Sequence, residues 1–270
     1  MSTTSKFAED IRYHALQMVS AANASHIGGV LSIADTLAVL YTEILEVYPP
    51  QPDHPNRDRF ILSKGHCCAG VYAALALRGF ITIEELDSYG RDGSRLMTHV
   101  SHKVPGVEFS TGSLGHGLPF AVGKALAAKK LNVDWRTYVL LSDGEMDEGS
   151  NWESILIAPQ LGLDNLVVII DYNKIQSLGR ISEVVELEPL REKLEAFRWR
   201  VYEVDGHDHE TLLKTFLELP IACGSPICVI THTTKGKGVD FMENQLAWHY
   251  RSPNQEQLNQ ALLQITKNHK

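Results

Sequence analysis

The chain has 270 residues and a net charge of −8, from 33 acidic and 25 basic side chains. That length buries a full core and suits one large α/β domain, while basic runs no denser than "AAKK" or "TKGKG" exclude a nucleic-acid footprint. No membrane attachment is expected, because no apolar stretch approaches the ~18 residues a span needs, and Lys6, Glu9, Asp10, Arg12 and His14 interrupt what a signal peptide would keep apolar, so a cytoplasmic chain is expected.

Along the chain, Ile11, Ala15, Met18, Val19 and Ala22 recur at helical spacing, and "SAANASHIGGV" reads as a small-residue break before a second helix over about 32–45. "YPPQPDHPNRD", with prolines at 49, 50, 52 and 55, is a loop. "RFILS" is a short strand, and "AGVYAALALRGF" is a helix ending at Gly79. After a polar loop over about 87–111, "LPFAVGKALAAKK" predicts a helix, "TYVLLS" a strand, 150–162 a helix and "NLVVIID" a strand. A charged helix near 188–197, "WRVYEVD", a helix over about 209–218 and "PICVITH" follow. Cys67 and Cys68 are neighbours, and Cys223 and Cys228 flank a "GSP" turn. In a chain this long they read as small core residues, not a disulfide framework. "GHCC" has no CxxC partner, and adjacent cysteines on a helix point ~100° apart, which argues against zinc.

Short apolar strands alternating with helices predict a doubly wound, mainly parallel sheet with helices on both faces, as a single domain over 1–270. Ligands of such sheets bind beyond the carboxyl ends of the strands. Two polar clusters fall there, "SDGE" after "YVLL" and "DYNK" after "NLVVII". Asp143 and Asn173 stand thirty residues apart (173 − 143), about one strand–helix–strand unit. If their strands pair directly, a carboxylate and an amide oxygen converge on one hard cation such as magnesium or calcium, which completes its shell with water and phosphate. Gly144 permits close approach of an anion, and a helix starting near Ser150 points amide donors the same way. The spacing fits equally an ordinary strand-to-helix turn at Asp143 and Gly144, with Asn173 in a loop.

"SDGEMDEG" followed by "DYNK" resembles the GDG-to-N motif of thiamine diphosphate enzymes. "SHIGGVLSIADTLAVLY", "DRFILSKGH", "PGVEFSTGSLGHGLPFAVGKALA", "VDGHD" and "TKGKGVDFMEN" with "WH" resemble transketolase blocks in family order, over roughly 12–250. The resemblance is to the amino-terminal, diphosphate-binding half. It implies thiamine diphosphate and Mg2+ (or Ca2+ or Mn2+ in its place), the metal held by Asp143, Asn173 and the main-chain oxygen of Ile175. By the same resemblance Gly144 donates its N–H to the diphosphate, while His66 and His249 contact phosphate or the substrate entrance. Gly112 and Leu114 bracket the cofactor rings, Glu148 links cofactor sites across a subunit interface, and Glu153 is a neighbouring interface acid. His26 and His99 line the sugar channel as proton shuttles, completing a catalytic set with His249 and Glu148. The family usually reads His-Pro where this chain has "THVSHKVPG", which makes His102 a rival; spacing to Pro105 favours His99.

The implied reaction moves a two-carbon unit from a ketose, phosphorylated or otherwise anionic, to an aldose, with the thiazolium as electron sink. The family's pyrimidine-facing acid belongs to its other half, and no block over 251–270 supplies it. A carboxy-terminal transketolase subunit carrying the pyrimidine-binding domain is therefore the expected partner, in a 2+2 heterotetramer, with this chain inactive alone. Bland readings stand beside these: His66 as a helix-start residue, Glu148 and Glu153 as a solvated first turn, and His54 and His269 in solvent. Dinucleotide and P-loop readings fail, because the glycine order matches neither motif. Competing functions are a 2-oxo acid dehydrogenase alpha chain or a deoxyxylulose phosphate synthase-like fragment, a non-catalytic cofactor-binding subunit, and a magnesium phosphohydrolase using Asp143.

Overall fold

Five apolar runs form β1 (Arg59–Leu62), β2 (Thr137–Ser142), β3 (Leu166–Tyr172), β4 (Arg200–Asp205) and β5 (Ile227–His232). The structure, a computed structural model, describes residues 2–267; His269 lies outside them. All strands pair in parallel, in the order β1-β2-β3-β5-β4. Their continuous apolar character follows from burial on both faces. Phe60, Leu62, Tyr138, Leu140, Val167 and Ile169 face one core, and the intervening Ile61, Val139, Leu141, Val168 and Ile170 face the other. The period of two along a strand sends successive side chains to opposite sides.

The helices are α1 (Thr3–Ala21), α2 (Ile27–Val39), α3 (Cys68–Leu77), α4 (Gly117–Leu131), α5 (Gly149–Gln160), α6 (Ile181–Val184), α7 (Leu190–Ala196), α8 (His209–Leu217) and α9 (Gln255–Lys267). The first core packs α1, α2, α3, α8 and α9 on the sheet, and the second packs α4, α5 and α7. The expected doubly wound α/β architecture is the one observed.

Three expectations need correction. The second helix starts at Ile27, not near residue 32, and its last turn widens to a π-turn over Leu40–Ile44. Gly28 and Gly29 lie inside it because neighbours come too close for a side chain. A Cβ at 28 would sit 3.2 Å from Lys235 Cγ and 3.2 Å from the Trp248 carbonyl, and one at 29 would sit 2.8 Å from Cys67 Sγ. With those glycines included, Ile27–Ile44 is long and apolar enough to cross a membrane, against the expectation that no such stretch exists; 83% of it is buried within this fold. Finally, α9 was not foreseen, although Leu258, Ala261, Leu262 and Ile265 recur at helical spacing and pack on the first core.

Candidate active site

β1, β2, β3 and β5 deliver Lys64, Asp143, Asn173 and Lys235 beyond their carboxyl ends into one cleft. β2 and β3 pair directly, with Ser142 opposite Asp171, so Asp143 and Asn173 leave neighbouring strands. Asp143 is 1% exposed. Its oxygens accept main-chain N–H groups from Gly144 (2.7 Å) and Lys174, both neutral donors. Burial and the negative charge of Asp171 push the acid up to about 6. Asn173 Nδ2 donates to Asp171 Oδ2 (2.8 Å), so Oδ1, which accepts the Ile175 N–H (3.1 Å), is the atom available as a ligand. The Ile175 carbonyl already meets a cation, the Lys235 ammonium at 2.8 Å. A buried carboxylate, an amide oxygen and a carbonyl that attracts positive charge form a hard, all-oxygen donor set, which fits a magnesium-like ion.

Lys64 was missed as a site residue, and so were Asp171, Glu145 and Lys235. Lys64 Nζ pairs with Asp171 Oδ2 at 2.6 Å, both side chains at most 1% exposed. Asp171 also accepts from Ser32 Oγ (2.7 Å) and Thr233 Oγ1. Although burial opposes charge on both, the ion pair and its hydrogen bonds hold Asp171 below and Lys64 above their ordinary ranges. Glu145, fully buried, accepts from Ser63 Oγ (2.5 Å), Gly115 N (3.0 Å) and Ser142 N (3.4 Å), tying the ends of β1 and β2 to the loop that carries Gly112 and Leu114. Burial pushes its acid upward. The lysines follow strand candidates in "SKGH" and "TKGKG", and their position at a strand's carboxyl end was the available signal.

Four imidazoles gather over the oxygens. His26 lies with ring centroids 4.9 Å from His66, 5.1 Å from His249 and 5.9 Å from His99. His26 sits at φ 75°, just ahead of α2, and its N–H donates to the His249 carbonyl at 2.9 Å. Burial, reinforced by nearby positive groups, lowers His26 to about 4 and His249 to about 3, and takes His66 well below the ordinary imidazole range. His99, at the open mouth, is lowered by burial alone. The cluster is neutral at physiological pH and so can both donate and accept protons. Because the unfolded chain protonates these rings near 6.5 and the folded chain does not, stability is full above 6.5 and declines as pH falls towards 4. Thermal unfolding across that window should show a falling midpoint, and the ring resonances of His26 and His249 should stay unprotonated at pH 5.

His26, His66, His99, Gly112, Leu114, Asp143, Gly144, Asn173, Ile175 and His249 all line the cleft. His102 does not; it is exposed, with Nδ1 2.7 Å from Ser110 Oγ. Glu148 and Glu153 also lie outside, exposed at the start of α5 and on its surface. Two local expectations are revised. The Gly144 N–H donates to Asp143 Oδ1 in a tight turn, and the glycine is required because a Cβ would lie 2.7 Å from Gln176 Cβ. Nor does α5 aim its first amides at the site. Residues Gly144–Asp147 form a 3-10 turn whose donors close on Asp143 and Glu145, and among the described residues none of α5 lines the cleft. Cys67 and Cys68 are buried free thiols, and among the described residues no cluster of three His, Cys, Asp or Glu could hold a metal.

The family described as "Transketolase, thiamine diphosphate binding domain" matches residues 3–265. The first of two apulose-4-phosphate transketolase subunits, that of Phocaeicola vulgatus, is 43% identical over 260 residues, 96% of this chain and 92% of that protein. 6-Deoxy-6-sulfo-D-fructose transketolase subunit SqwG of Clostridium sp. is 39% identical over 96% of this chain and 95% of its own length. Among solved structures, the transketolase of Leishmania mexicana superposes with a TM-score of 0.93 at 33% identity, covering 98% of this chain and 41% of that one. The chain thus spans about two-fifths of the solved transketolase it matches.

Proposed function

Because the chain belongs to the transketolase family, through its thiamine diphosphate-binding domain, we propose that it is one subunit of a two-chain transketolase that passes a two-carbon ketol unit from an anionic ketose to an aldose. The carrying observation is the all-oxygen set of Asp143, Asn173 and Ile175 beneath a cluster of neutral imidazoles in one cleft. The anionic donor is supported by the two relatives, whose names describe sugars bearing a phosphate or a sulfo group.

When bound, the cofactor supplies the electron sink for making and breaking the carbon–carbon bond. Asp143, Asn173 and the Ile175 carbonyl hold magnesium, or calcium or manganese in its place. His66 and His249 hydrogen-bond phosphate or the substrate entrance, and Gly112 and Leu114 bracket the rings. His26 and His99 hold and pass protons at the sugar hydroxyls, for which neutral rings are suited. Glu148 and Glu153, exposed on α5, are assigned to a subunit interface. The names of the relatives, which call them subunits, support a partner chain, assigned here as a carboxy-terminal subunit with the pyrimidine-binding domain in a 2+2 assembly. Residues 1–270 are taken as one diphosphate-binding domain, a reading supported by the single sheet, and the free thiols support a cytosolic setting.

The test is reconstitution. The chain mixed with a candidate partner, thiamine diphosphate and magnesium should transfer a ketol unit from a ketose donor, and the chain alone should not. Robust ketol transfer by the single chain, or turnover of pyruvate in place of a ketose, would overturn the reading. In the reconstituted enzyme, His99→Ala should lower kcat/KM by about 100-fold, while His102→Ala should leave it unchanged.

A further inference from the structure

The motif "VDGHD" lies outside the cleft, yet each of its last four residues holds the end of β4 against the segment that follows β5. Asp205 Oδ1 accepts from the His207 N–H at 2.8 Å and shapes the turn. Gly206 N donates to the His232 carbonyl at 2.8 Å, and a Cβ there would lie 2.4 Å from Thr233 Cγ2, so only glycine allows the approach. Asp208 caps α8, accepting from Glu210 N (3.1 Å) and Thr211 N (3.3 Å). His207 Nε2 accepts the Thr234 N–H at 2.8 Å.

That last bond determines the tautomer. A ring nitrogen that accepts carries no proton, so Nδ1 holds it and donates to Asp35 Oδ2 at 2.7 Å. Asp35 is 5% exposed and strongly anchored. It also accepts from Arg12 Nη1 (2.9 Å), Arg12 Nη2 (2.5 Å) and His209 Nε2 (3.0 Å). The chain of contacts thus runs from α1 and α2 through His207 to Thr234, whose neighbour Lys235 reaches the Ile175 carbonyl at 2.8 Å and His249 Nδ1 at 3.0 Å.

We propose that His207, fixed in its Nδ1–H form by Asp35, is a positioning residue of the cofactor cleft, clamping residues 233–235 so that Lys235 stands against Ile175 and His249. Its functional consequence rests on the cofactor reading given above; the clamp itself does not. Metal and cofactor sites depend on such outer partners, whose loss typically costs about 10–100-fold in affinity.

Two variants separate the roles of the ring nitrogens. His207→Asn keeps a donor where Nδ1 faces Asp35 but removes the acceptor for Thr234, whereas His207→Gln restores an acceptor near the Nε2 position. Amide hydrogen exchange of the chain should be accelerated at least ~10-fold at Thr234 and Lys235 in the Asn variant, with the interior of α8 unchanged, and largely recovered in the Gln variant. In the complex with its partner, cofactor Kd should rise about 10-fold or more in the Asn variant and recover in the Gln variant, with the KM for the ketose unchanged. Unaltered exchange in the Asn variant, equal behaviour of the two variants, or a cofactor Kd that does not follow exchange would overturn the proposal. Failure of the unsubstituted complex to take up cofactor would count against the proposed function, while the exchange comparison still decides the clamp.

Discussion

Replacing Asp143 by alanine should reduce uptake of thiamine diphosphate and magnesium by more than the ~100-fold that marks the upper range for losing an outer partner of a metal site. Asp143 contributes the single carboxylate of the oxygen set, so its removal takes away the formal negative charge that directly faces the ion; Asp171 is already neutralised by Lys64. The Gly144 and Lys174 N–H groups also lose their acceptor, at a cost of about 1–3 kcal/mol each if water does not replace it. Asp143→Asn keeps the volume and one acceptor, which separates cofactor loss from misfolding. Calorimetric titration of the reconstituted complex, with circular dichroism as the folding check, should find both variants folded and neither taking up cofactor. Unchanged uptake in Asp143→Ala would remove the metal assignment.

Lys64→Met should cost about 3–5 kcal/mol of folding stability, because it leaves the Asp171 carboxylate buried with no counter-charge. Against a total of about 5–15 kcal/mol for a folded domain, that brings the chain close to unfolding. Ser32, Asn173 and Thr233 still donate to Asp171, but neutral donors do not replace a full charge. The sign of the pH dependence follows. In the native chain the depressed Asp171 contributes stability at pH values above its unfolded pKa, 3.8, and loses it as pH falls through the folded value. In Lys64→Met the deficit is greatest where Asp171 is ionised, and it narrows on acidification as the acid takes up its proton. Urea midpoints at neutral and mildly acidic pH measure both effects, and a deficit that grows towards acid would contradict them.

Elements whose pattern comes from burial were legible in the sequence. β2 and β3 read as strands because both faces are covered, and the thirty-residue spacing of Asp143 and Asn173 predicted adjoining strand ends, which the register of Ser142 with Asp171 bears out. What stayed hidden depends on long-range approach. Gly28 and Gly29 looked like a helix break, since the sequence does not display Cys67, Lys235 and Trp248 pressing on them. Lys64 and Lys235 looked like ordinary surface charges until the sheet order brought the ends of β1 and β5 to the cleft. The course of the chain after Gly144 is a local turn preference that the motif alone did not reveal.

The strand order carries a consequence for how the molecule is made. β4 pairs only with β5 among the described strands, and β5, the last strand in the chain, inserts between β4 and β3. While a ribosome is still adding residues before 227, β4 therefore has no ladder partner and β3 shows one open edge. Such an edge is a template for another nascent chain, so crowded polysomes are where this polypeptide is most exposed to misassembly, and the hazard ends when residue 232 clears the exit tunnel and seals the gap.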